Sequence, residues 1–384
     1  MESADAMASD ASGSSNWYRR KFGTKPTCVL APMVDQSELS FRILCLRHGA
    51  DLCYSPMMSS HQFTESAKYR DSMFGPLDGM GEDRPLVVQF AGNDPQVLLA
   101  AAKHVQHRCD AVDINFGCPQ KIARRGHYGA WLSDEPHLQQ QLVGTLHCHL
   151  DCPVTVKIRV QEAGNSATVD YARMLQSAGA SVIAVHGRTR EQRGAAQGAA
   201  SWAAIAAVKA AVSVPVIANG GIFSQDDVAR CLEATGADGV MAGESLLENP
   251  SLFSGGHVGY SQPDLAREYL ALQATHPSPL AGVKQHLFAM LYAHVQVWCL
   301  STPPAPIRRC PYRPAPPPYL WPPLTLRFSV RPCTGAHRPA SAAPPRTHLG
   351  RDECRRRGVR ASTRRRRRRR VAARGRGEHR ALPI

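Results

Sequence analysis

The run Asp113-Ile114-Asn115-Phe116-Gly117-Cys118-Pro119-Gln120 sets a thiol where it can react. Ala111–Phe116 is an apolar, strand-like stretch and Gly117-Cys118-Pro119 is a turn, so Cys118 stands at a strand's carboxyl end rather than inside a core. A free thiol, with a reference pKa of about 8.5, is mostly protonated at neutral pH. Other polar residues fall in comparable places. Lys157 sits near the end of Thr155-Val156-Lys157-Ile158-Arg159, where an inward-pointing lysine would meet an anion. Gln89 offers a donor and an acceptor, and His186 ends another apolar run. Asn219-Gly220-Gly221 and Gly243-Glu244 open backbone amides of the kind that hold phosphate.

These residues need strands to carry them. Eight nearly continuous apolar runs are predicted as strands: 27–31, 50–54, 86–90, 111–116, 154–159, 181–186, 214–219 and 239–242. Unbroken apolar character, in place of alternation, belongs to strands buried on both faces of a parallel sheet. Helix-like stretches at 95–107, 168–178, 201–211 and 224–234 lie between them. Eight such units within about 230 residues fit a (β/α)8 TIM barrel better than an open doubly wound sheet. Asp35, Gln89, Asn115, Cys118, Lys157, Arg159, His186, Arg188, Asn219 and Glu244 then gather at the face where strands end. Any one alone reads equally well as a turn or capping residue.

The glycine pairs fall in units seven and eight, where such barrels hold a phosphate, and this points to a phosphate-bearing cofactor. A reduced flavin is negative at its N1–C2=O2 edge, which Lys157 would stabilise, and Gln89 suits its pyrimidine edge. The plain alternatives are a solvated strand-end charge for Lys157 and a loop cap for Gln89. No G-x-G-x-x-G fingerprint follows a strand. His147-Cys148-His149 with Cys152 has zinc-binding residue types without zinc-site spacing, so no metal is expected.

The charge is uneven. Residues 301–384 hold 22 of the 46 Lys and Arg, all Arg, against three acids, for +19; the first 300 residues carry 24 bases and 28 acids, for −4. The pI of 9.5 therefore describes the tail. That segment also has 15 of the 29 prolines and the run Arg364–Arg370, and is expected to be disordered. It reads either as translation of GC-rich sequence not selected to fold, which is the favoured reading, or as an RNA-binding or nuclear-targeting arm. Before it, 264–272 and 280–296 read as two amphipathic helices. The expected layout is a disordered leader over 1–24, a barrel over 25–256, a partial helical domain over 257–300 and the tail. Twelve irregularly spaced cysteines suit a reducing compartment, and 289–300 is too short and polar for a membrane span. A cytoplasmic monomer is expected, with the nucleus as the alternative location.

Five ordered motifs carry a family resemblance. Ala31-Pro32-Met33-Val34-Asp35, Asp113 to Pro119, Val156-Lys157-Ile158-Arg159, Val185-His186-Gly187-Arg188-Thr189 and Ala218-Asn219-Gly220-Gly221-Ile222 resemble the successive signatures of tRNA-dihydrouridine synthases. Gln120 to Ala130 is similar to the eukaryotic branch that reduces uridines 16 and 17 of the tRNA D-loop. The resemblance spans roughly residues 25–296. It implies an FMN-bound barrel that reduces the C5–C6 bond of uracil, with NADPH or NADH as reductant. By position it implies that Pro32, Met33, Val34, Gln89, Lys157, His186, Asn219, Gly220, Gly221, Gly243 and Glu244 serve FMN, and that Cys118 donates the proton. Asn115 and Arg159 would contact cofactor or base. Lys121, Arg124, Arg125, Arg159 and Arg188, with Arg190 and Arg193, would meet phosphates around an extruded uridine. The family normally continues into a complete helical domain, of which only the first two helices are recognisable. Another FMN barrel oxidoreductase acting on a small pyrimidine-like substrate, or a non-catalytic RNA-binding derivative, is the alternative.

Overall fold

The computed structural model describes residues 16–75, 77–193, 197–255 and 260–301, with 293–301 through their backbone alone. Eight strands form its centre: β1 (Thr27–Leu30), β2 (Leu52–Tyr54), β3 (Leu86–Ala91), β4 (Ala111–Phe116), β5 (Val154–Arg159), β6 (Val182–His186), β7 (Val216–Asn219) and β8 (Gly239–Ala242). Each pairs in parallel with its neighbour in chain order. β8 closes onto β1, from Thr27↔Gly239 to Leu30↔Ala242. Met58–Ser59 prolongs the β2 edge against Phe90 and Ala91. The expected (β/α)8 barrel is therefore present, with β2 and β7 starting two residues later than their apolar runs suggest.

The apolar runs are continuous because each strand serves two cores. β3 and β4 are buried at every position. Val29, Leu52, Val87, Ala111, Val182 and Ile217 pack together inside the barrel. Their neighbours Leu30, Cys53, Val88, Val112, Ile183 and Ala218 pack outward with the helices. Side chains alternate along a strand, so Gln89, Asp113, Asn115, Thr155, Lys157, His186 and Asn219 share the inner face. The outer helices begin where the chain supplies caps. Asp94 accepts from the backbone N–H of Gln96 and Val97 ahead of Pro95–Lys103, and Ser224 with Asp227 forms a capping box ahead of Gln225–Thr235.

The leader expected over 1–24 gives way to ordered structure at Asn16; residues 1–15 lie outside the described residues. Asn16 caps a short helix, Trp17–Phe22, and donates to the Ser181 carbonyl at 2.7 Å. Tyr18 is 1% exposed and packs with the inner cluster at the strands' amino ends. Its hydroxyl pairs with Thr27 and donates to the Asp238 carbonyl. Three aromatic rings within six residues have enough apolar area to close that end, which small-residue composition upstream obscured.

Beyond the barrel, Gln262–Thr275 and Leu280–Ser301 form a helix pair against Leu39–Arg47. Glu38 organises this contact, accepting from the Tyr269 hydroxyl at 2.7 Å and meeting His286 Nε2 at 2.9 Å. His286 also stacks on Phe41 with centroids 4.3 Å apart. The second helix runs to Ser301, past the expected change of character near 297. The Arg/Pro-rich tail lies outside the described residues. No helix among them is long and apolar enough to cross a membrane.

Candidate active site

The site is built at the carboxyl ends of the strands. Cys118 follows β4, partly buried, and its turn is held from three sides. Asn115 Oδ1 accepts from the backbone N–H of Gly117 at 3.0 Å and of Cys118 at 2.8 Å. Arg159 Nε donates to the Gly117 carbonyl at 2.8 Å, while its Nη1 donates to the Thr189 carbonyl at 2.8 Å. Gly129 lies so close that a side chain there would meet the Cys118 carbonyl oxygen at 2.8 Å, and Ala130 N–H donates to that same oxygen. Burial pushes the Cys118 thiol up, against the opposing pull of a backbone hydrogen bond and the charges of Arg159 and Lys157. The thiol stays protonated at neutral pH.

Lys157 leaves β5 and its Nζ donates to Asn219 Oδ1 on β7 at 2.9 Å. These strands are separated by β6, so the lysine crosses the mouth of the barrel. Burial, helped by Arg159, lowers Lys157 to about 8, while Asp113 and Cys118 oppose the shift. A lysine so desolvated is poised for an anion brought beside it. Asn219 is completed by Nδ2 donating to the Met241 carbonyl at 2.9 Å, which ties β7 to β8. His186 is held neutral, well below the usual imidazole range, by burial and then by Arg159, Lys157 and Arg188. Arg188 Nη1 lies 3.3 Å from His186 Nε2, with the guanidinium as donor, and its Nε donates to the Gly198 carbonyl at 3.0 Å.

Gly220 and Gly221 have φ of 102° and 79°, conformations open to glycine and strained for other residues. Trp202 Nε1 donates to the Gly220 carbonyl at 3.0 Å, fixing the turn. Gly243 lies under Met33, whose sulfur would be 3.2 Å from a side chain built there. The Pro32-Met33-Val34 loop is shaped by Ser37, whose hydroxyl is 3.0 Å from both Met33 N and Met33 O. Fully buried Arg42 holds the Ser37 carbonyl at 2.7 Å and is neutralised by Asp83 at 2.8 Å. Val34 remains 46% exposed at the rim. Glu244 opens the short segment Glu244–Glu248, and burial raises its carboxyl, opposed by Arg188.

Gln89 and Arg159 take positions that residue type alone does not reveal. Gln89 is fully buried, donating to Asp113 Oδ2 and accepting from Asn115 Nδ2, both at 2.8 Å. Arg159 uses its guanidinium to join the loops after β4 and β6. Lys121, Arg124 and Arg125 are exposed on the turn Lys121–Arg125 just beyond Cys118. Arg124, Arg190 and Arg193 lie 5.1, 4.7 and 5.6 Å from the Trp131 ring. Trp131 Nε1 donates to the Gln120 carbonyl at 3.3 Å, and Arg193 donates to that of Pro119. Trp131 and Asp113 are site residues that the sequence reading does not single out; the signals for them are a tryptophan six residues past Arg125 and an acid inside a strand buried on both faces. Among the described residues no group of His, Cys, Asp or Glu is placed to hold a metal ion.

Comparison with known proteins agrees with this geometry. Residues 29–296 match the family model described as dihydrouridine synthase (Dus). The chain is 48% identical over 282 residues to a Mus musculus protein named tRNA-dihydrouridine(16/17) synthase [NAD(P)(+)]-like, covering 73% of this chain and 58% of that one. It is 44% identical over 279 residues to the Saccharomyces cerevisiae tRNA-dihydrouridine(16/17) synthase [NAD(P)(+)], covering 70% and 66%. A Homo sapiens tRNA-dihydrouridine(20a/20b) synthase [NAD(P)+]-like protein is 41% identical over 268 residues, covering 68% and 81%. The chain thus spans about three-fifths of the length of the mouse relative. The match runs from β1 through the helix pair and takes in every strand that carries a site residue, and the chain belongs to the dihydrouridine synthase family.

Proposed function

We propose that this chain reduces uridine in the D-loop of tRNA, at positions 16 and 17, with FMN as cofactor and NADPH or NADH as reductant. The observation that carries the reading is a thiol held on the β4 turn by Asn115, at the same strand ends where Lys157 crosses the mouth to Asn219. The choice of 16/17 is supported by the names of the relatives at 48% and 44% identity, above the 41% of the human 20a/20b protein.

The residues present fit FMN. The positive φ of Gly220 and Gly221 would let backbone approach a phosphate, where His186 lies against Gly220 and Arg188 against His186, and Gly243 and Glu244 would complete that end. Met33 and its neighbours Pro32 and Val34 would bring backbone to the isoalloxazine ring, with Lys157 at its anionic edge. Gln89 and Asn115 would support the pyrimidine edge from below. Bound there, FMN supplies the hydride that uracil C6 receives.

The chain's own part is proton delivery and orientation. Negative charge develops on the uracil ring as C6 is reduced, and Cys118 Sγ gives its proton to C5. A raised thiol pKa keeps that proton in place until it is needed. Lys121, Arg124 and Arg125, with the guanidiniums gathered on Trp131, form the cationic lip that meets tRNA phosphates. A nucleotide must be extruded from the D-loop to reach a thiol recessed behind that lip.

The test is purification, an absorption spectrum, and single-turnover reaction with unmodified tRNA. A yellow protein whose reduced flavin is reoxidised by tRNA supports the proposal. A colourless protein, or one oxidised only by free pyrimidines, defeats it.

A further inference from the structure

A row of hydrogen bonds runs beneath the reactive turn. Thr155 Oγ1 donates to Asp113 Oδ1 at 2.6 Å, and Asp113 Oδ2 accepts from Gln89 Nε2 at 2.8 Å. Gln89 Oε1 accepts from Asn115 Nδ2 at 2.8 Å. Asn115 Oδ1 then accepts from the backbone N–H groups of Gly117 and Cys118. Thr155, Asp113 and Gln89 are 0% exposed and Asn115 is 8% exposed, so water does not offer a substitute for any of these bonds.

The row has a direction. With both oxygens of its carboxylate accepting, one from Thr155 and one from Gln89, Asp113 draws the Gln89 nitrogen toward itself and leaves the Gln89 oxygen to Asn115. Burial raises this carboxyl to about 7, so the acceptor-only form holds the row above that pH. Asn115 must in turn direct its nitrogen at Gln89 and its oxygen at the turn. Reversing Asn115 sets donor against donor at Gly117 and Cys118, and reversing Gln89 alone sets acceptor against acceptor at Asp113 and donor against donor at Asn115. We propose that Asp113 is a positioning residue: its acceptor oxygen fixes the orientation of both amides, and through them the turn that presents Cys118. The inference assigns a role to a residue that touches neither thiol nor substrate. Its importance for turnover rests on the reading of Cys118 as proton donor, but its test does not.

Three isosteric variants separate polarity from packing, read by hydrogen exchange of a peptide spanning residues 113–120. Asp113→Asn keeps the row intact, because its carboxamide oxygen can face Gln89 while its nitrogen faces the Thr155 oxygen. The turn then stays protected as in the unaltered protein. Asn115→Asp places an acceptor against Gln89 Oε1, which forces the Gln89 oxygen onto the Asp113 carboxylate, and exchange of all the proteins is read at about pH 9, above the value of about 7 to which burial raises Asp113. Exchange at the turn should rise about tenfold, the equivalent of one to two neutral hydrogen bonds. The double variant, Asp113→Asn with Asn115→Asp, runs the whole row backwards with every donor matched. Protection should return to within about twofold of the original, which is inside the scatter of a single bond. An Asn115→Asp protein with native exchange overturns the proposal. So does a double variant that stays unprotected or does not fold. Asn115→Asp failing to fold while the double variant folds and is protected supports it. None of these outcomes depends on uridine reduction, so a failed activity assay and a failed relay are told apart.

Discussion

Substituting Gly220 by alanine tests the cofactor cradle where geometry is least forgiving. At φ 102° a β-carbon would lie 2.9 Å from His186 Cδ2 and 3.1 Å from both His186 Nε2 and Ala200 Cβ. The backbone conformation alone costs an alanine about 1–2 kcal/mol. Forcing the imidazole or the Ala200 segment aside adds about 1–3 kcal/mol of overpacking. Gly236 is the internal control, since it has φ of 62° at a helix end and nothing within 4 Å of the added carbon. Gly236→Ala therefore carries only the backbone cost. With a melting shift of about 2–4 °C per kcal/mol for a body of this size, Gly236→Ala should lose about 2–8 °C and Gly220→Ala about 4–20 °C. The two differ more sharply in cofactor binding. Displacing His186 should weaken FMN at least about tenfold in Gly220→Ala, or about 1.4 kcal/mol, with no change in Gly236→Ala. Thermal melts of the flavin-free proteins and a fluorescence-quenching titration with FMN give both quantities. Equal melting losses and equal FMN affinities in the two variants would refute the assignment of the cradle.

Three further outcomes are expected. Cys118→Ala should retain FMN and lose about 10²- to 10⁴-fold in uridine reduction, the usual weight of a general acid; full single-turnover rate in that variant removes the thiol from the mechanism. Lys157 is depressed to about 8 from 10.5 in the folded chain. The unfolded chain therefore binds more protons between those values, and flavin-free protein gains stability from this lysine as pH rises through that window. The difference in denaturant midpoint between the unaltered protein and Lys157→Gln should grow from pH 8 to 10.5, and a constant difference contradicts the burial of the ammonium. Trp131→Ala should weaken tRNA binding about two- to fivefold at fixed salt, because the three guanidiniums held over the ring lose an organising contact worth about 0.5–1 kcal/mol in all. Trp131→Phe should keep most of that affinity, and unchanged binding in the alanine variant would place the tRNA elsewhere.

The chain carries its barrel in plain view because parallel strands between two cores must be apolar at nearly every position. Val87 and Val88, or Ile217 and Ala218, show it: one of each pair packs inside the barrel and the other against the helices. Cys118, Lys157 and the Gly220-Gly221 turn were likewise legible, since polar or glycine residues that interrupt such runs at their ends have few other reasons to be there. Partners were not legible, because strand periodicity gives the direction of a side chain and not what waits across the barrel. Closure and register brought Gln89 between Asp113 and Asn115, so that a residue expected at the cofactor is also a buried link beneath the thiol. The same closure set Lys157 opposite Asn219 two strands away. Loop length and packing bent Arg159 back onto the Gly117 and Thr189 carbonyls, so that a residue of substrate-binding type became a staple between loops. Tyr18 joined the core from a segment whose upstream composition suggested disorder, because an open barrel end offers apolar surface that no local pattern announces. Residue chemistry and spacing thus determined which groups could act, while the closed sheet decided which of them face one another.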